Sequence, residues 1–319
     1  FRPSPGVVPS SRKPLGWTPI SVVGPMGRTV DEACLQLAAS AGADVGDPLS
    51  YPLDPASFLR PPKLDLGALR VGWTEDFGAC DVDASIRADF RRKIASMKHL
   101  FRSCDEVKFE LGEAHRCFDV LRAEAFVAAT RDAYARDPAS LGVNTRANYE
   151  IGAAMSLLDS AWAQAEQTRI LARFTAAMAD CDVILAPTTP LSPFPWTMLH
   201  ADTIDGKPQA NYYRWLALTY VVTLTTLPAL SLPCGLDHAG MPFGLQIVGR
   251  FRADHQVLGV AAALEQAFAG SDELRRPRPA LDRLRAVEPS LTSIVTAPPV
   301  AGSGAGPRTM AASGHHGAM

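Results

Sequence analysis

Apolar residues recur at helical spacing in the first third of the chain. From Ile86 they fall at Phe90, Ile94, Met97 and Phe101. Steps of three and four residues place these side chains on one face of a helix, because an α-helix has about 3.6 residues per turn. We interpret this face as part of the core and not as a cofactor-binding surface.

A second helix is predicted from its end signals. Thr29 followed by Glu32 has the spacing of a capping box, in which the two side chains satisfy free N–H groups of the first turn. The apolar residues that follow end before Gly42, and glycine is the residue that most often terminates a helix. The pattern predicts a short helix from Val30 to Ala41.

Short apolar runs between these helical patterns predict β-strands, because buried strands are brief and bounded by turn residues. The predicted strands cover residues 69–73, 105–109, 183–186, 229–232 and 243–248. Helices are predicted up to about residue 136, over 152–180 and over 254–268, and a turn over 237–240. Alternating strands and helices favour an α/β fold, with a mixed β-sheet core and flanking helices.

The chain divides into one large unit and a tail. We predict a single domain over residues 1–290, entered through a proline-rich segment at 1–25 that should run as an extended loop. Residues 291–319 are rich in Ala, Gly and Pro and hold few large apolar side chains, too few to offset the entropy of ordering them. We therefore expect residues 291–319 to be disordered.

Composition narrows the range of partners. The 319 residues carry a net charge of -2 and 47% are hydrophobic, so there is no basic excess for nucleic acid and enough apolar material for a core. The apolar run at 216–232 is interrupted by threonines and Pro228, which argues against a membrane span. The six cysteines are spread along the chain without the dense, regular spacing of a disulfide scaffold, which suggests that their thiols are reduced. We expect a cytoplasmic protein, without nucleic-acid or membrane partners, and allow for a homodimer.

Searches for complete catalytic motifs find none. There is no Gly-x-Ser-x-Gly, and the one Ser-x-x-Lys match, Ser10 to Lys13, lies between prolines that favour an extended path over the helix such a pair needs. No His-Glu-x-x-His or paired Cys-x-x-Cys occurs, and the tail pair at 315–316 lacks a third ligand. No metal and no organic cofactor is expected.

Three segments taken together resemble the amidase signature family. They are residues 24–31 (GPMGRTVD), residues 182–190 (DVILAPTTP), and residues 227–235 (LPALSLPCG) continuing through 240–249 (GMPFGLQIVG). The three segments occur in this order and are followed by the predicted helix at 254–268. The resemblance covers nearly the whole chain from Phe1 to about Leu284. The resemblance implies an amidase-signature fold that is incomplete at its N-terminus.

The resemblance also implies a reaction and the groups that catalyse it. Family members hydrolyse amide C–N bonds with a serine nucleophile, a second serine in a cis peptide linkage and a lysine, helped by a glycine-rich loop. In the family's chain order these groups precede the segment that matches Phe1 to Ser4. We therefore expect the catalytic residues upstream of Phe1, interpret Ser10, Ser21 and Ser231 as structural, and predict that this chain alone is inactive.

What remains for this chain is the wall of the substrate pocket. The resemblance places the loop after the Pro-Thr-Thr-Pro segment, and the helix before Leu-Pro-Ala, against a small-molecule amide substrate of apolar to aromatic character. The aromatic members could equally be core, and Arg169, a weaker candidate for binding a carboxylate, could instead form a surface ion pair. The predicted substrate-binding residues are Thr188, Thr189, Tyr212, Tyr213, Trp215 and Arg169.

Two alternatives stay open. The glutamine-hydrolysing subunit of an aminoacyl-tRNA amidotransferase shares the Leu-Pro-Ala to Gln-Ile-Val-Gly pattern, but its pattern has an acidic residue in the preceding helix where this chain has Trp215, Leu216 and Ala217. A non-catalytic binding protein that kept the scaffold and lost the nucleophile is the other alternative. An open reading frame upstream of Phe1 that encodes a Gly-Gly-Ser-like segment would favour the enzyme.

Overall fold

A computed structural model describes residues 1–285. The strands are β1 (Arg70–Trp73), β2 (Ser103–Glu106), β3 (Val183–Pro187), β4 (Thr203–Ile204), β5 (Lys207–Pro208), β6 (Ala229–Leu236) and β7 (Pro242–Val248). The helices are α1 (Val30–Ser40), α2 (Ala84–Met97), α3 (Ala114–Arg136), α4 (Val143–Ala153), α5 (Leu157–Ala177), α6 (Ala217–Thr225), α7 (Asp254–Phe268) and α8 (Leu281–Arg285). The predicted disordered tail, 291–319, lies outside the described residues.

Five strands form one mixed sheet in the order β2-β1-β3-β7-β6. β1 runs parallel to β2 and β3, whereas β7 is antiparallel to both β3 and β6. The predicted α/β fold with a mixed sheet is thus confirmed. β6 lies at the edge of this sheet, where Arg2 pairs with Ala229 in an isolated antiparallel bridge.

β3 is the central strand of the sheet, and every one of its residues is buried. A continuous apolar run of this kind belongs in a strand covered on both faces. α7 packs on β6 and β7, α1 packs on α7, and α2 contacts β3. A separate group of helices, α3 to α6, packs together, and α3 and α6 line one of the two cavities described below.

The predicted cap of α1 is confirmed, with one change. The Thr29 hydroxyl accepts a hydrogen bond from the Glu32 N–H at 3.2 Å, and the Glu32 carboxylate accepts from the N–H of Arg28 at 2.7 Å. The return bond of a capping box goes to the N-cap residue itself, so here it reaches one residue further back. The helix ends at Ser40, close to the predicted end.

Several element boundaries were wrong, among them the end of β6, which runs to Leu236 and not to 232. The helix predicted over 152–180 corresponds to the shorter α5, and α4, which ends at Ala153, was not predicted. Ser156 sets the start of α5: its hydroxyl accepts from the Asp159 N–H at 3.2 Å, and the Asp159 carboxylate accepts from the Ser156 N–H at 3.0 Å. The strand predicted over 105–109 begins earlier, at Ser103, because β2 takes its register from the parallel strand β1. Local apolar character does not report such a tertiary constraint.

The ribbon of β4 and β5 was not predicted. Asp205 and Gly206 connect the two strands with φ angles of 51° and 76°, the left-handed values that a two-residue hairpin turn requires. The predicted turn after β6 is confirmed, since Gly240 donates to the Asp237 carbonyl at 3.0 Å. Among the helices that the structure describes, none has the length and apolar character needed to cross a membrane.

Candidate functional site

The end of β3 carries a pair of hydrogen-bonded hydroxyls. Thr188 follows the last residue of the strand, and its N–H donates to the Gly244 carbonyl on β7 at 2.9 Å. Its side-chain oxygen lies 2.7 Å from the Ser231 oxygen on β6. Gly244 leaves space for this contact, because a Cβ there would lie 2.9 Å from the Thr188 oxygen and 3.0 Å from the Ser231 oxygen. We call Thr188 and Ser231 the hydroxyl pair.

The loop that leaves β3 is held at two points. The Asp83 N–H donates to the Pro190 carbonyl at 2.8 Å, and the Ser192 hydroxyl donates to the Asp237 carboxylate at 2.5 Å. Asp237 also accepts from the N–H groups of Ala239 and Met241 within the β6–β7 turn. The loop and the hairpin are therefore fixed relative to each other, and the walls of the cavity between them are preformed.

That cavity, which we call the strand-end cavity, has a volume of about 410 Å³. Its lining residues are Ile86, Thr188, Thr189, Leu191, Ser192, Pro193, Phe194, Trp215, Ser231, Asp237, Pro242, Phe243 and Gly244. Ligand sites in α/β proteins typically lie at the carboxyl ends of the sheet strands, as this one does at β3. The lining combines an apolar majority with a few hydroxyls, the composition expected of a small-molecule site.

A second cavity of about 520 Å³, which we call the aromatic cavity, lies beside the first. Its lining residues are Ile20, Ser21, Phe118, Arg122, Leu199, Tyr212, Tyr213, Trp215, Leu216, Thr219, Tyr220 and Thr223. Trp215 lines both cavities, and its ring meets that of Phe194 edge to face, with centroids 5.5 Å apart. One side chain thus forms the boundary between the two spaces.

Behind the aromatic cavity, a buried aspartate organises the wall. Asp119 on α3 accepts from the Tyr213 hydroxyl at 2.8 Å and from the Arg214 guanidinium at 2.7 Å. Arg214 also donates to the Tyr220 hydroxyl at 2.7 Å, and that hydroxyl lies 2.5 Å from His115 Nδ1. These contacts connect α3 to the segment before α6 and to α6 itself, which fixes both tyrosine rings.

Burial sets the protonation of this wall. Burial, reinforced by Asp119, raises the pKa of Tyr213 above its usual range. Burial likewise raises the pKa of Tyr220, whereas it lowers the pKa of His115, with Arg214 adding to that effect. At neutral pH both phenols and the imidazole are therefore uncharged.

The family model for amidases matches residues 1–258. The match covers most of the chain, including β3, the β6–β7 hairpin and both cavities. The chain belongs to the amidase signature family. The members of this family are hydrolases that act on C–N bonds.

Amidase signature relatives are found by both sequence and structure. The glutamyl-tRNA(Gln) amidotransferase A subunit of Acaryochloris marina is 29% identical over 273 residues, which are 77% of this chain and 55% of that protein. The corresponding protein from Rhodospirillum rubrum is 30% identical over 270 residues, 77% of this chain and 53% of the relative. The chain thus spans about half the length of the curated relatives it matches.

Solved structures show the same fold. A bacterial aryl acylamidase of the amidase signature family superposes with a TM-score of 0.72 at 22% identity, covering 85% of this chain and 58% of that one. A 6-aminohexanoate cyclic dimer hydrolase, solved with its substrate, gives 0.70 at 20% identity, covering 87% and 61%. At these identities the likeness establishes the fold.

Within this amidase signature scaffold, five of the six residues predicted to bind substrate come together. Thr188 and Thr189 line the strand-end cavity, Tyr212 and Tyr213 line the aromatic cavity, and Trp215 lines both. Tyr213 is also buried in the Asp119 network, so the core interpretation and the pocket interpretation both describe it. The role of these side chains toward substrate stays a prediction.

Arg169 lies apart from the other five. It is on α5, lines neither cavity and forms an ion pair with Glu166, one turn earlier on the same helix, at 2.7 Å. The Glu166 carboxylate also forms an ion pair with the Arg173 guanidinium at 2.9 Å. This is the ion pair that the sequence left open as the alternative for Arg169.

Several residues of the site were missed by sequence reasoning. Ser21 and Ser231, interpreted as structural, each line a cavity. Phe118, Asp119 and Arg122 follow His115 on α3 at steps of three and four residues, and that mixed polar and aromatic face was the available signal. Charged side chains are rarely buried unless they are paired, so a charged pair on an aromatic helix face is compatible with an inward-facing polar site.

Proposed function

We propose that the chain forms the substrate-binding half of an amide hydrolase that takes linear amides with apolar to aromatic substituents. The observation that carries the proposal is the convergence of five predicted residues on two adjacent cavities that share Trp215. Two adjacent spaces suit the two sides of an amide, one for the acyl group and one for the leaving amine. The aryl acylamidase, whose name states such a substrate, supports this choice.

In this proposal the catalytic serines and the lysine lie upstream of Phe1, where the family resemblance places them. The strand-end cavity would receive the scissile amide close to the hydroxyl pair, with the serine nucleophile contributed from outside this chain. The 319-residue chain by itself should then show no amide turnover. Measurable hydrolysis by the purified chain would contradict this part of the proposal.

The activity is tested in a protein that carries this chain together with the segment before it. Hydrolysis is measured across matched aliphatic and aryl amides, for the wild type, Trp215→Ala and the control Trp196→Ala, whose half-exposed ring lines neither cavity. Because Trp215 forms the apolar boundary, its loss should raise KM for aryl amides roughly tenfold, the effect of losing a large apolar contact. An equal effect of both substitutions, or no hydrolysis of any amide, would refute the proposal.

A second candidate is the glutamine-hydrolysing amidotransferase subunit, favoured by the identity of 26–30% to such proteins. Against it, Trp215 and Leu216 line the aromatic cavity and Ala217 is buried at the position where the pattern of that subunit has an acidic residue. Without a carboxylate there, the amine of glutamine has no counter-charge at that point. Glutaminase activity, or co-purification of a partner protein, would favour this alternative.

A binding protein without catalysis is the third candidate, and an upstream stop codon would support it. A cytoplasmic location and a homodimer stay predictions. Fractionation of cells and the mass of the purified protein in solution test these two directly.

A further inference from the structure

Arg122 presents a guanidinium to the aromatic cavity without an acidic partner. Its Nη2 donates to the Tyr212 hydroxyl at 2.7 Å, and its Nη1 donates to the Asn148 side-chain oxygen. The guanidinium carbon also lies 4.1 Å from the centre of the Tyr213 ring. All three partners are neutral, and no described carboxylate forms a salt bridge with Arg122.

The neighbouring Arg214, in the same wall of the cavity, does have an acidic partner. Arg214 pairs with Asp119 at 2.7 Å, and both side chains are about nine-tenths buried. Asp119 is occupied by Arg214 and by the Tyr213 hydroxyl. The wall therefore holds two arginines and one aspartate, which leaves one positive charge in excess at Arg122.

The excess charge lies where a ligand could reach it. Arg122 is half-buried and lines the cavity, and a guanidinium has five N–H donors, of which two are used by Tyr212 and Asn148. The same guanidinium geometry matches the two oxygens of a carboxylate. Burying a cation without a counter-charge is costly, and an anionic ligand would remove that cost.

We infer that the aromatic cavity selects ligands that combine an apolar or aromatic body with a carboxylate, and that Arg122 is the residue that determines this specificity. The inference rests on the proposed function, because it names the class of amide that the site would take: an amide that carries a carboxylate on the side held by the aromatic cavity. Tyr212 and Asn148 would position the guanidinium, while Trp215 and Tyr213 contact the apolar body.

The test compares two probes of nearly the same shape, 4-phenylbutyrate and 4-phenylbutyramide, by titration calorimetry with the purified chain. We expect the wild type to bind the carboxylate at least about tenfold more tightly than the amide, since hydrogen bonds to a charged acceptor are roughly twice as strong as neutral ones. Arg122→Gln should abolish the preference and Arg122→Lys should keep part of it. Arg136→Gln removes a cation from the same helix at an exposed position outside both cavities, and should leave the preference unchanged.

Several outcomes would overturn the inference. They are a wild type that binds both probes equally, prefers the amide or binds neither, and an Arg122→Gln variant that keeps the preference. The wild-type comparison needs no substitution, so misfolding of a variant does not remove the test. If the catalytic form hydrolyses neutral aryl amides as well as acidic ones, the inference fails while the proposed function stands; if it hydrolyses no amide, the proposed function fails.

Discussion

The buried pair of Asp119 and Arg214 should be essential for the stability of the cavity wall. In Asp119→Ala the Arg214 guanidinium keeps the Tyr220 hydroxyl but loses its only counter-charge among the described residues, and the Tyr213 hydroxyl loses its acceptor. The side chains of Asp119 and Arg214 are 10% and 11% exposed, so water can replace little of what is lost. We expect the free energy of unfolding to fall by about 3–5 kcal/mol, the usual effect of removing one partner from a buried pair.

Urea denaturation followed by circular dichroism measures this loss. Asp272→Ala is the matched control, because Asp272 also pairs with an arginine, Arg275, at 3.1 Å, but its side chain is 95% exposed. Such surface pairs contribute little, so no measurable change is expected there. Asp119→Asn keeps an oxygen for the Tyr213 hydroxyl while it removes the charge, and should fall between the two.

The reasoning fails if Asp119→Ala is no less stable than the Asp272→Ala control. It also fails if Asp119→Asn is as stable as the wild type, because the charge of Asp119 would then be irrelevant to Arg214. A third readout is local: tyrosine absorbance should report a phenol with a lower pKa in Asp119→Ala, because Asp119 adds to the raised pKa of Tyr213.

Two further predictions concern the β6–β7 hairpin, one for His238 in its turn and one for Gly244 on β7. The Asp89 carboxylate accepts a hydrogen bond from His238 Nδ1 at 2.8 Å, and this bond raises the pKa of His238 above its usual value of about 6.5. The stability it contributes is therefore present below that value and is lost as pH rises through the raised pKa, and NMR titration should show the pKa falling back in Asp89→Asn. In Gly244→Ala the new methyl would crowd the hydroxyl pair at 2.9 and 3.0 Å, so thermal unfolding should shift down by the equivalent of about 1–3 kcal/mol. Gly270→Ala meets no atom within 4 Å and should not shift it, and equal midpoints for the two variants would contradict the crowding.

Elements whose signals are local were predicted well. β3 and β7 are short apolar runs that end at turn residues, and α7 was predicted with the bounds Asp254 and Phe268 that the structure has. The face of α2 that carries Ile86 and Phe90 is buried as predicted. In each case the local pattern of apolar side chains, a short run for the strands and helical spacing for the helices, reports burial directly.

Other boundaries depend on single polar residues or on neighbouring strands. The break before α5 is made by Ser156 and Asp159, a cap that stands in the sequence but lies within a longer helical pattern. The Asp205-Gly206 turn is a hairpin signal in two residues, yet its strands are too short to show alternation. The start of β2 is set by its pairing with β1, for which the sequence contains no local signal.

The same distinction separates the two parts of the candidate site. Thr188 lies within one recognisable segment and Trp215 shortly before another, so a family resemblance was enough to nominate them. Arg122 and Asp119 lie on α3, about 90 residues earlier in the chain, and they meet the aromatic segment only because α3 packs against α6. Whether a cation on that helix is balanced depends on which acid the fold brings to it. The excess charge in the aromatic cavity, and with it the predicted preference for a carboxylate, is therefore a property of the packed structure.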